Sequence, residues 1–599
     1  MQTQNDLKIA IAILPFKNLS DQAGNEFFCD GITEEIINAL SRIRQLKVTS
    51  RTSSFYFKKH HAALPEIAKK LGVTVIIEGS VRIHQNMLRI SAQMIQAQED
   101  ITIWSETWNR EKDNIFEIQD EISLLIADQL REHLGHLEVS ESLVEQPTQQ
   151  VNAYEYYLKG QYHFRRWNPE DVQKSIELFN QALRIDPQLI LAHLGLADSY
   201  SFMAVAGFAA RDAAWAKAIL AIDAAKGLDS EHPGVNYMLA HQAFFTQANY
   251  AVAFDHLQKA LTHQPTHADA QRFISFLYLL AGNQEKAKAH LLYVKSIDPL
   301  NLETLFFEAN YLYRTGDHDQ AQLILGQLLL ENPKNLPAIV VHIHILLQQH
   351  HIHEALNFLL GVPEELFAPD ERLGLLALIE ILSGTPNRGS FNKLRQQATD
   401  NKAHHAHAYL FICYAVLEAY DEAFETLEKL FSDQSSILLL SFSDPLTANL
   451  RKDSRYAQYH PRVYPAIKQI VKAKKQGLAT MDEATAEKWK EKIEVFVADE
   501  RPYLNPALSL RSLAAQIEIH PNQLSWLLNQ AIGKNFNEFI NQKRIAHFKK
   551  LMRDPANAHI SLIGLAFESG FNSKTVFNTT FKKQEGMTPK AFLKKYPQD

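Results

Sequence analysis

The sequence predicts a multidomain chain: a small α/β N-terminal domain, an all-α solenoid of helix pairs, and an all-α C-terminal domain with two helix-turn-helix motifs. Three observations predict it. Up to about residue 137, β-branched apolar runs alternate with stretches of helical spacing. Between 151 and about 435, prolines and small residues recur every 34 residues. Between Leu510 and Lys595, two short helix patterns broken by tight turns stand on either side of one longer helical run. The domains so drawn are 1–137, 151–435, a connector 436–489, and 490–599.

Composition narrows the class. The 599 residues are 46% hydrophobic, enough for several cores. Cys29 and Cys413, far apart, exclude a disulfide framework and favour a reducing compartment. No apolar run approaches the roughly 18–20 residues of a membrane span. The opening MQTQNDLK lacks the basic start of a signal peptide. A soluble cytoplasmic protein with no membrane partner is expected.

In the N-terminal domain, Ile9 to Phe16, Lys47 to Arg51, Val73 to Arg82, Leu88 to Gln96 and Ile101 to Trp108 are predicted strands. Gly31 to Ile43 and Leu64 to Leu71 are predicted helices, with Gly72 ending the second. Asp30, Glu34 and Glu35 could suggest paired catalytic carboxylates. Asp30 stands where a helix begins, however, and an acid there is expected to cap it. Neither GxxxxGK[ST] nor GxGxxG after a strand occurs, so no nucleotide chemistry, enzyme activity or cofactor is expected. The phrases ILPFKNLSDQAGNEFFCDGITEEIINALSRI, LGVTVIIEGSVR, IWSETWNR and IFEIQDEI resemble the TolB-type domain that often precedes repeat arrays in bacterial signalling proteins. That resemblance implies an accessory or sensing role.

In the solenoid, Pro265, Pro299 and Pro333 keep the period, as do Ala253, Ala287, Ala321 and Ala355, and Ala248, Gly282, Gly316 and His350. A 34-residue period with small residues at fixed points is the signature of tetratricopeptide (TPR) helix pairs. The small residues let paired helices approach, and the proline stops the second helix. Six or seven repeats are expected, one of them stretched by a helix extension around Val205 to Arg211, with the pattern weakening after Pro369. The concave face suits a peptide, a partner protein or the chain's own termini; the alternative is a plain spacer. His342, His344, His350, His351 and His353 crowd one repeat and His404, His405 and His407 another. Scattered along helices, they do not form a metal site in this reading.

In the connector, the first part could complete the solenoid, Gly477 to Thr480 is a hinge candidate, and Asp482 to Val497 is a predicted helix.

The C-terminal motifs read LRSLAAQIEIHPNQLSWLLNQAIG and ISLIGLAFESGFNSKTVFNTTFKK, separated by NFNEFINQKRIAHFKKLMRDP. Pro521 opens the second helix of the first motif. Gly570 supplies the turn of the second, and Asn572 or Ser573 caps its last helix. Two such motifs in tandem, with the wording GFNSKTVFNTTFKKQEGMTPKAF, resemble the DNA-binding domain of AraC-type transcriptional regulators over about residues 490–597. The resemblance implies that both recognition helices enter successive major-groove segments of double-stranded DNA about 34 Å apart. It assigns base reading to Asn522, Ser525 and Trp526 on the first and to Lys574, Thr575, Asn578 and Thr579 on the second. It also implies an activator role and contact with RNA polymerase. Departures from the family pattern are Glu518 where Gly is common, His520 where Ser is usual, and short Thr575 and Thr579.

Charge agrees with this reading. Residues 501–599 hold fourteen Lys or Arg against six Asp or Glu, a net +8, so the rest of the chain carries −15 of the overall −7. A basic end on an acidic body is the footprint of a phosphate-binding domain. Lys543, Arg544, Lys549, Lys550, Lys582 and Lys583 are the candidate phosphate contacts. The expected function is a DNA-binding transcription regulator whose body senses a signal or binds a partner. The alternative is a TPR scaffold that binds DNA weakly or without sequence preference.

Overall fold

The computed structural model describes residues 9–20, 26–43, 45–85, 87–111, 115–140, 143, 147–164, 169–205, 208–385, 388–399, 404–466 and 481–596. It has the predicted fold class, and contacts divide it into two compact units. The first comprises residues 1–49, 61–146 and 473–599; the second comprises 50–60 and 147–472.

In the first unit, strands β1 (Ile9–Ile13), β2 (Lys17–Asn18), β3 (Leu46–Val48), β4 (Val75–His84), β5 (Met87–Gln96) and β6 (Ile101–Glu111) form one sheet. Its order is β3-β1-β4-β5-β6, with β2 also pairing β4. β1 is parallel to both neighbours, which explains its unbroken apolar run: Ile11, Ala12 and Ile13 are buried. β4, β5 and β6 form an antiparallel meander, Val81 facing Ile90 and Ile90 facing Trp108. Helix Glu26–Ser41 packs on this sheet, and the Thr33 hydroxyl accepts from the Phe16 N–H at 3.0 Å. The helix begins at Glu26, not Gly31, so Asp30 is buried within it rather than capping it. The strand expected to reach Arg51 stops at Val48, because the Ser50 hydroxyl caps a new helix, Arg51–Tyr56, by accepting from the Ser53 N–H. That helix belongs to the second unit, where Ser53 donates to Asp298 at 2.7 Å.

The second unit stacks eight helix pairs among the described residues, from Val151–Phe164 with Pro169–Ile185 to His404–Val416 with Tyr420–Ser432. The sequence predicts six or seven, and the backbone keeps one turn geometry through all but the first two. Ala248, Gly282, Gly316, His350, Gly384 and Glu418 keep the 34-residue spacing, and all have positive φ, at 48°, 83°, 91°, 60°, 69° and 57°. Each lies just past the first helix of its pair and turns the chain back. Asn249, Asn283 and Asp317 then cap the second helix by accepting from the N–H groups of Val252, Lys286 and Gln320. Glycine carries this conformation freely, whereas His350 and Glu418 hold it at a cost of about 1 kcal/mol each. The period therefore continues through Glu418, beyond Pro369 where the sequence pattern weakens. Ala253, Ala287, Ala321, Ala355 and Ala423, on the companion register, are all fully buried. The extension expected around Val205 to Arg211 is not helical at 208–210; one helix ends at Val205 and the next starts at Arg211.

The connector 436–489 is not a separate region. Residues 436–464 form helix Ser436–Ser441, a 3-10 run Pro445–Lys452 and helix Arg455–Val463, and their Leu439, Phe442, Leu446 and Tyr464 share the solenoid core. Helix Glu483–Asp499 packs Ile493 and Val497 into the C-terminal domain, so a boundary at 490 falls inside it. The hinge candidate Gly477 to Thr480 lies outside the described residues.

Candidate nucleic-acid interface

The C-terminal domain is two small cores on one axle. Helix Phe536–Arg553 gives Phe536, Phe539 and Ile540 to the first core and Ile545, Phe548 and Met552 to the second. Eighteen helical residues span about 27 Å, so this helix fixes the separation of the motifs.

In the first motif, helix Leu510–Gln516 opens with a capping box between Ser509 and Ser512. Glu518 makes the turn at φ +60°, the place where glycine is expected. His520 does the work of a capping serine: its Nδ1 accepts from the Asn522 N–H at 3.1 Å. Helix Pro521–Trp526 continues as a π-helical turn, Leu527–Ile532.

In the second motif, Ser561 caps helix Leu562–Glu568 and Ser573 caps helix Lys574–Glu585. The turn needs Gly570 on two grounds. Its φ is +92°, and a Cβ there would lie 2.1 Å from the Tyr503 carbonyl oxygen. Phe577 and Phe581 bury the inner side of the last helix. Lys574, Thr575 and Thr579 are exposed on the outer side, with Asn578 half-buried among them.

The predicted reading face of the first motif is not outward. Asn522 is 8% exposed and Ser525 0%, and both are covered by residues 128–139 of the same unit. Asn522 Oδ1 accepts from Arg131 Nη1 at 2.8 Å and from the Val139 N–H at 3.2 Å, while its Nδ2 donates to the Val139 carbonyl at 3.1 Å. His136 Nδ1 lies 3.1 Å from Ser525 Oγ. Trp526, expected to point out, is half-buried against the first core. The covering segment is the end of helix Ile115–Leu134 and the chain after it. Around these contacts, Asp128 accepts from Arg131 at 2.5 Å and from Arg511, the Leu510 N–H donates to Glu132 at 2.7 Å, and Asn535 Nδ2 donates to the His133 carbonyl at 3.1 Å. Burial pushes the Glu132 carboxyl up to about 7, against the pull of the Leu510 N–H. Burial, with the Arg131 charge beside it, holds His136 down at about 4.

The sequence reading missed these partners. The available signal was a helix end in which Asp128, Arg131 and Glu132 interrupt an apolar run, followed by Leu137 at the end of the first predicted domain and by Val139 and Leu143 just beyond it; all three apolar residues are buried.

The phosphate candidates divide. Arg544 is buried and donates to the Tyr503 and Asn505 carbonyls at 2.8 and 3.0 Å, so its guanidinium ties the domain together rather than facing solvent. Lys549 is paired with Glu585 at 2.8 Å. Lys543 lies over the Phe539 ring at 5.6 Å. Lys550, Lys582 and Lys583 are exposed, Lys583 with Glu538 at 3.4 Å.

The concave face is expected to receive a peptide, a partner or the chain's own termini; in the structure, residues 436–464 pack on first helices of the solenoid. Asp444 accepts from Tyr313 Oη at 2.8 Å; Arg314 donates to the Ser443 and Leu440 carbonyls at 3.0 and 3.1 Å. His344 Nδ1 is 3.7 Å from Asp444, and Phe442 stacks on Phe411. Tyr313, His344 and Phe411 lie on the first helices of three different pairs. His342, two residues from His344, packs instead on Phe358.

Comparison with known proteins adds to this geometry. Residues 513–595 match the family described as "Helix-turn-helix domain", and residues 7–125, the segment resembling TolB, match "HilA/YgeH-like transcriptional regulator, second domain". "Putative adenylate cyclase 3" of Rhizobium meliloti (strain 1021) is 35% identical over 191 residues, covering 32% of each chain. "Uncharacterized transcriptional regulatory protein YesN" of Bacillus subtilis (strain 168) is 33% identical over 17% of this chain and 27% of its own. "Melibiose operon regulatory protein" of Escherichia coli (strain K12) is 26% identical over 15% and 28%. The chain thus spans about a third or less of the length of these curated relatives. A solved tetratricopeptide repeat protein from Parabacteroides merdae aligns over 42% of this chain and 93% of its own at 14% identity, with a TM-score of 0.29, too loose a superposition to add to the helix-pair geometry.

Proposed function

We propose that this chain, which carries an AraC-type helix-turn-helix domain behind a tetratricopeptide-repeat array, is a sequence-specific DNA-binding transcription regulator. The observation that carries the proposal is the outer side of helix Lys574–Glu585. Lys574, Thr575, Asn578 and Thr579 are presented together there, on a helix whose inner side is pinned by Phe577 and Phe581. Asn can pair in a bidentate way with adenine and the Thr methyl can pack on thymine, while Lys550, Lys582 and Lys583 supply nearby charge for phosphates. In this reading the protein is an activator that contacts RNA polymerase, the acidic body receives a signal or protein partner, and no catalysis is performed. Its place of work is the cytoplasm.

The test separates two kinds of contact. Asn578→Ala should relax base preference at one position by about 1–3 kcal/mol. Lys582→Ala should weaken binding to every duplex alike and reduce the salt slope by about one unit. Binding isotherms at several salt concentrations measure both. Unchanged base preference in Asn578→Ala would remove that residue from the reading face.

The scaffold reading draws on one observation, the covered face of the first motif. Against it stands the packing of residues 436–464 on first helices of the solenoid, through Asp444 on Tyr313 and Phe442 on Phe411. A partner docking there would have to displace them.

A further inference from the structure

The first helix-turn-helix motif presents the wrong surface for DNA. A recognition helix must enter a groove about 12 Å wide with its side chains free to reach base edges. Here the side-chain hydrogen-bonding groups of Asn522 are committed to Arg131 and to the Val139 backbone, and Ser525 is closed off beside His136. The covering segment is built for this position. Arg131, 1% exposed, is held between Asp128 and Asn522. Asp128 also binds Arg511 and Glu132 binds the Leu510 N–H, so both helices of the motif are gripped. Leu137 and Val139 bury their side chains, and Gly135 passes the Asn529 side chain, 3.5 Å from where a Cβ would stand. A buried guanidinium paired in this way is costly to strand, so the contact opens as a unit rather than by one side chain swinging aside.

We infer that the reading face of the first motif is a binding surface with two mutually exclusive occupants, residues 128–139 of this chain and a DNA major groove. The inference rests on the proposed function. At rest the chain engages DNA through helix Lys574–Glu585 alone. Withdrawal of residues 128–139 frees Asn522, Ser525 and Trp526 and doubles the length of sequence read. Whatever biases the N-terminal domain away from this contact thereby raises both affinity and specificity, because only the uncovered fraction can make the second set of contacts.

Full-length wild type, Arg131→Met and His136→Ala test this. Duplexes are selected with each protein from a random pool, and hydroxyl-radical footprints are taken on the winners. Wild type is expected to protect one major-groove segment. The variants are expected to protect two, about ten base pairs apart, and to bind the two-segment duplex roughly ten-fold or more tightly than wild type does. Should a variant lose its fold by circular dichroism, hydrogen exchange on the wild type decides. Saturation with the two-segment duplex, or with the best wild-type duplex extended by a random half-site, should speed exchange at the 135–139 amides as protection appears over the second segment. Wild type protecting both segments with exchange at 135–139 unchanged overturns the inference while leaving the regulator reading intact. Folded variants confined to one segment overturn it as well. Failure of all three proteins to enrich any duplex removes the DNA-reading function, and the inference with it.

Discussion

Gly570 and Arg544 form one joint between the two motifs. Arg544 reaches from the connecting helix to the carbonyls of Tyr503 and Asn505, and Gly570 lies against the same Tyr503 carbonyl, with Arg544 Nε 3.0 Å from where its Cβ would be. Gly570→Ala should therefore destabilise the C-terminal domain by about 2–4 kcal/mol, combining a left-handed φ with a backbone clash. The check is a lower urea midpoint for that domain's transition; an unchanged midpoint would mean that the turn relaxes freely. A turn glycine was legible in the sequence. The partner was not: Arg544 sits in a basic stretch beside Lys543, Lys549 and Lys550, and only burial separates a structural guanidinium from a phosphate contact. Likewise His520 and Glu518 depart from the family pattern in sequence, yet one performs the serine's capping and the other takes the glycine's φ.

Among the elements, residues 436–464 and the first helices of the solenoid hold each other through Asp444. Burial alone would raise this carboxyl, but His344 close beside it, the Arg314 charge and the Leu446 N–H hold it at about 2, below its ordinary 3.8. A depressed acid contributes stability that is present above its unfolded value and lost as pH falls through the folded one. This contact should therefore weaken between about pH 4 and 2, by about 2 kcal/mol. Asp444→Asn should remove that pH dependence and lower the urea midpoint of the repeat array at pH 6; an acid profile identical to wild type would contradict the assignment. The repeat period itself was legible because small residues mark it through Gly316. It faded after Pro369, although Gly384 and Glu418 keep the same left-handed turn, since sequence spacing reports side chains and not φ. The connector was illegible for a related reason: SFSDPLTANL has turn chemistry at Asp444-Pro445, and its buried role emerges only from residues about 130 positions earlier, Tyr313 and Arg314.

For the whole molecule, the three-part fold class and the tandem motifs were readable from period, turn residues and charge. The closing of the first motif by residues 128–139 was not, because it joins positions some 390 residues apart. Basic charge at the C-terminal end remains the electrostatic footprint of phosphate binding, yet of the six candidate side chains Arg544 is buried, Lys543 and Lys549 are half-buried against Phe539 and Glu585, and Lys583, though exposed, pairs with Glu538. Lys582 and Lys583, on helix Lys574–Glu585 itself, and Lys550, exposed on the connecting helix, are the candidates left facing solvent. The most direct measurement is selection of random duplex DNA by the full-length protein at moderate and raised salt. An enriched motif that persists as salt rises and is altered by Asn578→Ala is expected. Salt-sensitive binding to any duplex, with nothing enriched, would contradict sequence-specific regulation and leave only an electrostatic affinity for nucleic acid.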